Sequence, residues 1–249
     1  MRSFCRPTRY TLTRGTLTRT LAILTVCAGC GSSSSSQSDA AGNPDGAGGG
    51  TAADSFSFFI TGAGNPKGGD FRLAPGDIDG FDGADAFCQT AAARAGAKAA
   101  AKQWRAYLSS DTLDARDRIG TGPWFNFKGD MIAASVEALH DPASNMLNKQ
   151  TGLTETGATI PGAGDPGNQH DIITGSKADG TTNGNTCNNW TSSDASVTAQ
   201  LGHFDRMGGG QDPTSWNSAH ASMGCAAISF PPTGGRGSIY CFALVDTPF

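Results

Sequence analysis

Several features that would announce a function are missing from this 249-residue chain. Beyond the first twenty residues there is no cluster of lysine and arginine, so nucleic acid and heparin-like polyanions are poor partners. There is no C-x-x-C pair, and the cysteines stand too far apart for a compact zinc cluster. No Gly-x-Ser-x-Gly or other nucleophile motif occurs, so nothing local points to covalent hydrolysis. No apolar run is long enough to span a bilayer as a permanent helix. With 35 glycines and only short apolar runs, the chain reads as short elements joined by long ordered loops.

What is present begins with an address. Arg2, Arg6, Arg9, Arg14 and Arg19 precede the short apolar run Leu21–Val26, and no acidic residue occurs before Asp39. A positive flank, a short apolar centre and the small pair Ala28-Gly29 describe an export signal over residues 1–29. Cys30 follows directly, as the lipid-attachment cysteine does in bacterial lipoprotein signals, although Cys27 stands where that motif usually has Leu. Several acyl chains on Cys30 would hold the protein stably to a membrane. Gly31 after the cysteine, rather than Asp, resembles lipoproteins sent on to an outer membrane. The expected location is therefore the bacterial cell envelope, lipid-anchored at the outer membrane or cell surface.

Residues 30–54 form the expected tether. After Cys30 the stretch reads GSSSSSQSDAAGNPDGAGGGTAAD, with no large apolar residue to bury. As a flexible chain it would hold its ends roughly 25–30 Å apart. The remainder, 55–249, is long enough for one domain with a substantial core and carries 13 basic against 19 acidic residues. Four cysteines fall in this head: Cys88, Cys187, Cys225 and Cys241. An even number in an oxidising compartment implies disulfides, and four cysteines allow three pairings. One of the three, Cys88–Cys241 around Cys187–Cys225, would tie the first helix to the last strand and clip one long loop.

The head is organised around Gly76 to Ser110. Asp82 and Asp85 mark a helix start, the first as cap and the second as first-turn acid. The Ala-rich run from Ala84 to Ala95 repeats Phe87, Cys88, Ala91, Ala92 and Ala95 at helical steps, and Gly96 offers a stop. Trp104, Ala106 and Leu108 alternate with Arg105 and Tyr107 as in a strand. Buried strands are expected at Ser57–Thr61, Trp124–Lys128, Asp171–Ser176 and Ser238–Val245. In the last, Ile239, Cys241 and Ala243 share one face, with Tyr240, Phe242 and Leu244 on the other. A short second helix is expected over Asp111–Ile119, strand or turn over Ala133–Leu139, and loops over Asn65–Pro75, Thr151–His170, Lys177–Asn185 and Gly202–Ser222.

The motifs GxxxGxxGADxxCxxxAxxAG, then WRAYLSS, then Gly122-Pro123-Trp124-Phe125-Asn126 resemble the collagen-derived endostatin domain. They are closer still to a bacterial domain of unknown function found in surface lipoproteins. The likeness resumes at Ile173–Ser176, at Cys187-Asn188-Asn189-Trp190-Thr191-Ser192, at Cys225 and at Ile239–Phe242, so it runs over Phe56 to Phe249 except for the stretch from Met131 to Asp171. The resemblance implies an α+β, C-type-lectin-like fold with two short helices, a mostly antiparallel sheet, long loops and the nested cysteine pairing. Endostatin's N-terminal zinc histidines have no counterpart in Ser55–Asp70, and its heparin-binding arginines have none in this acidic head. The sugar-binding motifs of C-type lectins have no clear match either: Trp216-Asn217-Ser218 lies further from Cys225 than such a segment would.

Candidate chemistry is sparse. Asp77, Asp79 and Asp82, with Asp85, offer hard oxygens that a calcium ion could take, although no closing Glu follows; turns and a helix cap are the plainer roles. No cofactor is expected, with calcium as the possible one. His203 with Asp205, and His220, would make a transition-metal site if their loops converge. Trp216 with Asn217, Asn188, Asn189, Asp194 and His220 suits recognition of a carbohydrate or peptide, aromatic faces giving area and amides giving directed hydrogen bonds. Trp104, Trp124 and Trp190 are expected in the core. The expectation for function is a lipid-anchored extracytoplasmic binding or adhesion module for a carbohydrate or protein, and not an enzyme. The alternatives are an exported hydrolase using loop histidines and a structural envelope protein.

Overall fold

A computed structural model describes residues 52–244. The expected export signal, Cys30, the expected tether up to Thr51 and the last five residues lie outside them. The described chain is mixed α+β, with a mostly antiparallel sheet, one long helix, several single-turn helices and two disulfides. The only described tether residues, Ala52–Asp54, lie in a helical turn, α1 (Ala52–Ser55), and Asp54 pairs with Lys98.

The sheet is built on its last strand. Eight strands occur among the described residues: β1 (Phe58–Ile60), β2 (Trp104–Ala106), β3 (Trp124–Phe125), β4 (Met131–Ala133), β5 (Asp171–Ile173), β6 (Gln200–His203), β7 (His220–Ala221) and β8 (Gly235–Ala243). β1 and β2 both pair antiparallel with β8, and both meet Cys241 and Phe242. They must therefore take opposite edges of β8. β5 continues along β8 in parallel, through Ile172 opposite Ser238 and Ile173 opposite Ile239. β6 and β7 then extend the sheet outward, both antiparallel. β3 and β4 pair separately.

The alternation expected in β8 separates two cores. Ile239, Cys241 and Ala243 belong to the core that holds Trp104, Trp190 and α2 (Phe81–Ala93). Tyr240 and Phe242 belong to the core on the other side, with Phe58, Tyr107, Trp124, Leu139 and Trp216. β8 is thus covered on both faces along its length. The cysteines pair Cys88–Cys241 and Cys187–Cys225, the nested arrangement.

Local differences from the sequence reading have physical reasons. Helix α2 starts at Phe81, where Asp79, not Asp82, receives the backbone N–H of Phe81 at 3.0 Å. Asp82 stays exposed in the first turn, and Asp85 is buried and turned to β2. A single turn, α3 (Ala97–Ala100), follows, and the short second helix shrinks to α4 (Ala115–Arg118). The Ala133–Leu139 stretch divides into the end of β4 and α5 (Val136–His140), capped by Ser135 accepting from the Ala138 N–H. The polar Gly202–Ser222 stretch holds the end of β6 and all of β7. Cys187, Asn188, Asn189 and Trp190 all have φ between 50° and 65°, a full left-handed turn of residues other than glycine.

Candidate functional site

The outer half of the sheet, β5–β6–β7, and the loops around it hold the polar groups that most need explanation. Asp171 and His203 are direct partners in the antiparallel β5–β6 ladder, and Leu201 pairs with His220 across β6–β7. Opposed residues and residues two apart share a face. The register therefore places Asp171, His203 and His220 on one face, and His170 enters from just before β5.

Their atoms converge on one carboxylate oxygen. Oδ1 of Asp171 lies 3.2 Å from His170 Nε2, 3.2 Å from His203 Nε2 and 3.4 Å from His220 Nε2. His170, Asp171 and His203 are buried, and His220 is half-buried at the sheet margin. None of these contacts has hydrogen-bond geometry: Asp171 Oδ1 and Oδ2 and His203 Nε2 are buried without a hydrogen-bond partner among the described residues. The outward nitrogens have partners. Nδ1 meets Asp205 Oδ1 at 3.1 Å in His170, the Pro213 carbonyl at 2.9 Å in His203 and the Ala221 carbonyl at 3.0 Å in His220. Asp205 also receives the N–H groups of Ala163 and Met207.

A cleft of about 80 Å³ is lined by His140, Arg206, Asp212, Thr214, Ser215, Trp216 and Asn217, among others. That is room for several waters, one needing about 10–15 Å³ by the same measure. Behind it runs a polar chain. His140 Nδ1 donates to the Val136 carbonyl at 2.7 Å, which leaves Nε2 to accept the Tyr107 hydroxyl at 2.7 Å, and Tyr107 in turn accepts from Asn217 Nδ2 at 2.9 Å. Burial lowers the His140 pKa, in keeping with a neutral ring. Arg206 has φ 55°, and its guanidinium donates to the carbonyls of Pro142 and Asn145.

The expected site residues divide among different surroundings. Trp216 and Asn217 line the cleft, but Trp216 is only 5% exposed and packs against Tyr107 at 4.8 Å and Tyr240 at 5.1 Å. Asn217 Nδ2 is taken up by Tyr107 and the carbonyls of Lys177 and Ala178. His220 belongs to the imidazole cluster. Asn188 and Asn189 lie in the left-handed turn, where Asn189 accepts the Asp111 N–H, and exposed Asp194 caps its own loop at Ser196. Asp77 receives the N–H groups of Leu73 and Ala74, and Asp79 that of Phe81, so these carboxylates shape their own turns. Sequence reasoning missed His170 and Asp171, and it paired Asp205 with His203 where the contact is with His170. The signal that was present is the consecutive His170-Asp171 opening an apolar strand, where a buried charge requires a partner.

The chain matches no known family model, and a comparison with curated proteins returns no match.

Proposed function

We propose that this chain is a lipid-anchored extracytoplasmic binding module of the bacterial envelope, with an endostatin-like, C-type-lectin-like head that takes a small polar group of a carbohydrate or protein ligand. The observation that carries the reading is the cleft beneath Trp216. It offers an aromatic edge, the Thr214 and Ser215 hydroxyls, and one charge of each sign in Arg206 and Asp212. Such a lining suits hydroxyl or amide groups, which need donors and acceptors together. The leader, Cys30 and the glycine–serine tether support placing that cleft just off a membrane, with Cys30 as the lipidated residue.

The hydrolase reading is less well supported. Ser218 and His220 are close in sequence, but His220 Nδ1 meets the Ala221 carbonyl and its Nε2 faces Asp171 Oδ1 at 3.4 Å. Glycan and peptide arrays probed with the purified chain test the binding reading. Binding that weakens in Thr214→Ala and Asp212→Asn, both at exposed positions, is the expected result. Binding unchanged in both variants removes the cleft from the proposal.

A further inference from the structure

The imidazole cluster poses a proton problem. A carboxylate or carbonyl oxygen only accepts, so the contacts at Asp205, Pro213 and Ala221 place a hydrogen on Nδ1 of each ring. A neutral imidazole with its hydrogen on Nδ1 has a lone pair on Nε2. Three such lone pairs then face a carboxylate oxygen at 3.2–3.4 Å with no proton between them. Charging the half-buried His220 alone would supply one proton and leave the lone pairs of His170 and His203 against the same oxygen, and charging all three rings would set three cations, two of them buried, against two carboxylates, Asp171 and Asp205. It would also stack two imidazolium rings, since His170 and His203 lie 4.1 Å apart with planes 15° from parallel. Each of these arrangements leaves a cost in a largely buried site.

A dication resolves the conflict. With the rings neutral, its two positive charges balance Asp171 and Asp205, and each inward lone pair has an acceptor for its electrons. The spacing around Asp171 Oδ1 also fits. Tetrahedral bonds of about 2.0–2.1 Å place neighbouring ligand atoms about 3.3–3.4 Å apart, and the three observed separations from Asp171 Oδ1 are 3.2, 3.2 and 3.4 Å. One ligand atom each from His170, Asp171 and His203 lies within 4.8 Å of the others, while His220 stands outside that group with its Nε2 3.4 Å from Asp171 Oδ1. The outward contacts are those that orient metal-bound imidazoles, His170–Asp205 being a carboxylate–histidine pair. Glycine backbone closes over the rings: a Cβ on Gly208 would stand 2.6 Å from His170 Cε1, and one on Gly210 would stand 2.9 Å from His220 Cδ2.

We propose that His170 and His203, through Nε2, and Asp171, through Oδ1, hold a divalent transition-metal ion of the zinc class, with His220 swinging its Nε2 in from the sheet margin as the fourth ligand that closes the centre. Three imidazole nitrogens suit zinc and its neighbours and not calcium, which takes oxygen. Four protein ligands leave no open position, so the ion clamps β5, β6 and β7 together and does not activate water. The centre does not depend on what occupies the cleft.

The test uses the full chain, purified in detergent, stripped with a chelator and titrated with Zn²⁺ in competition with a chromophoric chelator. One equivalent of Zn²⁺ should bind, and Co²⁺ in its place should give the intense visible bands of tetrahedral nitrogen–oxygen coordination. His220→Ala removes a ligand at the sheet margin, where folding is least at risk, and should weaken binding more than Asp205→Asn, for which the expected loss is about 10–100-fold. Circular dichroism of each apo variant separates loss of a ligand from loss of the fold. Failure of the unaltered chain to bind Zn²⁺, a preference for Ca²⁺, an octahedral Co²⁺ spectrum, or equal affinity in the folded His220→Ala variant would each overturn the proposal.

Discussion

Asp85 and Arg118 form a buried ion pair: Nη2 of Arg118 donates to Oδ1 of Asp85 at 2.8 Å, and both side chains are almost wholly covered. The same Oδ1 accepts the backbone N–H of Ala106 at 2.8 Å, and Oδ2 accepts from Arg105 at 2.8 Å. One carboxylate therefore joins α2, β2 and α4. Arg118 also lies over the Phe81 ring, 3.7 Å from its centre. Removing one member of such a buried pair leaves the other charge uncompensated, at a cost of about 3–5 kcal/mol. Asp85→Ala should lose that much in urea unfolding. Asp82→Ala, three residues earlier and exposed, should change stability by no more than about 0.5 kcal/mol. Equal losses in the two variants would show that the pair does not hold the helix to the sheet.

The Asp85 pair also marks what the sequence hides. The helix itself was legible because its small residues recur at helical spacing, and β8 because apolar residues run along both of its faces. The partners of Asp85 lie 20 and 33 residues away, and no local pattern announces them. β6 was illegible for a different reason. Its four residues, Gln200-Leu201-Gly202-His203, are all buried, but two are polar and one is glycine, so the pattern reads as loop. The imidazole cluster rests on that strand and its register, so only one pairing, His203 opposite Asp171, brings the groups together. The residue types were visible, but their convergence is a property of the sheet.

The two disulfides should contribute unequally and in different places. Cys88–Cys241 spans 153 residues and Cys187–Cys225 spans 38. Loop closure in the unfolded chain gives about 5 kcal/mol for the outer bridge and about 4 for the inner as upper figures. Replacing both cysteines of a pair by Ala should therefore cost more for the outer bridge in urea unfolding. Hydrogen exchange should locate the difference. Loss of the inner bridge should loosen residues 187–192 while β8 keeps its protection, and loss of the outer bridge should lower protection in α2 and β8 together. An inner-bridge variant that exchanges like the unaltered chain over 187–192 would count against this division.

The left-handed turn at 187–190 gives a prediction of opposite sign. Left-handed backbone costs an ordinary residue about 1–2 kcal/mol, and Asn tolerates it better than most. Asn188 has φ 56° and ψ 56°, and it is exposed. Asn188→Gly should leave stability unchanged or raise it by up to about 1 kcal/mol, whereas Asn188→Ala should lower it by about 1 kcal/mol. Chemical denaturation of the two variants decides. Ala as stable as Gly would mean that the backbone at 188 is free to leave the left-handed region.

The tyrosines provide a probe of the second core in alkali. Beyond Tyr10 the chain has two, Tyr107 and Tyr240, and both are buried. Burial raises both phenol pKa values. The bond from Asn217 only partly offsets this at Tyr107, and nearby carboxylates add to it at Tyr240. The Tyr240 hydroxyl donates to the Trp216 carbonyl at 2.7 Å, and an ionised oxygen could not make that bond. In the unfolded chain both phenols titrate near their ordinary value of about 10. A folded pKa above the unfolded one means that stability is unaffected below about pH 10. Above that it falls, because the unfolded state loses protons that the folded state keeps, by about 1.4 kcal/mol per pH unit for each tyrosine. In a chain truncated to start after residue 29, tyrosinate absorbance should therefore stay flat past pH 10 and then rise in one step with unfolding, as followed by circular dichroism. A gradual rise centred near pH 10 in protein that keeps its folded spectrum would show that these hydroxyls reach water, and that the packing of Tyr107, Trp216 and Tyr240 is looser than the ring distances require.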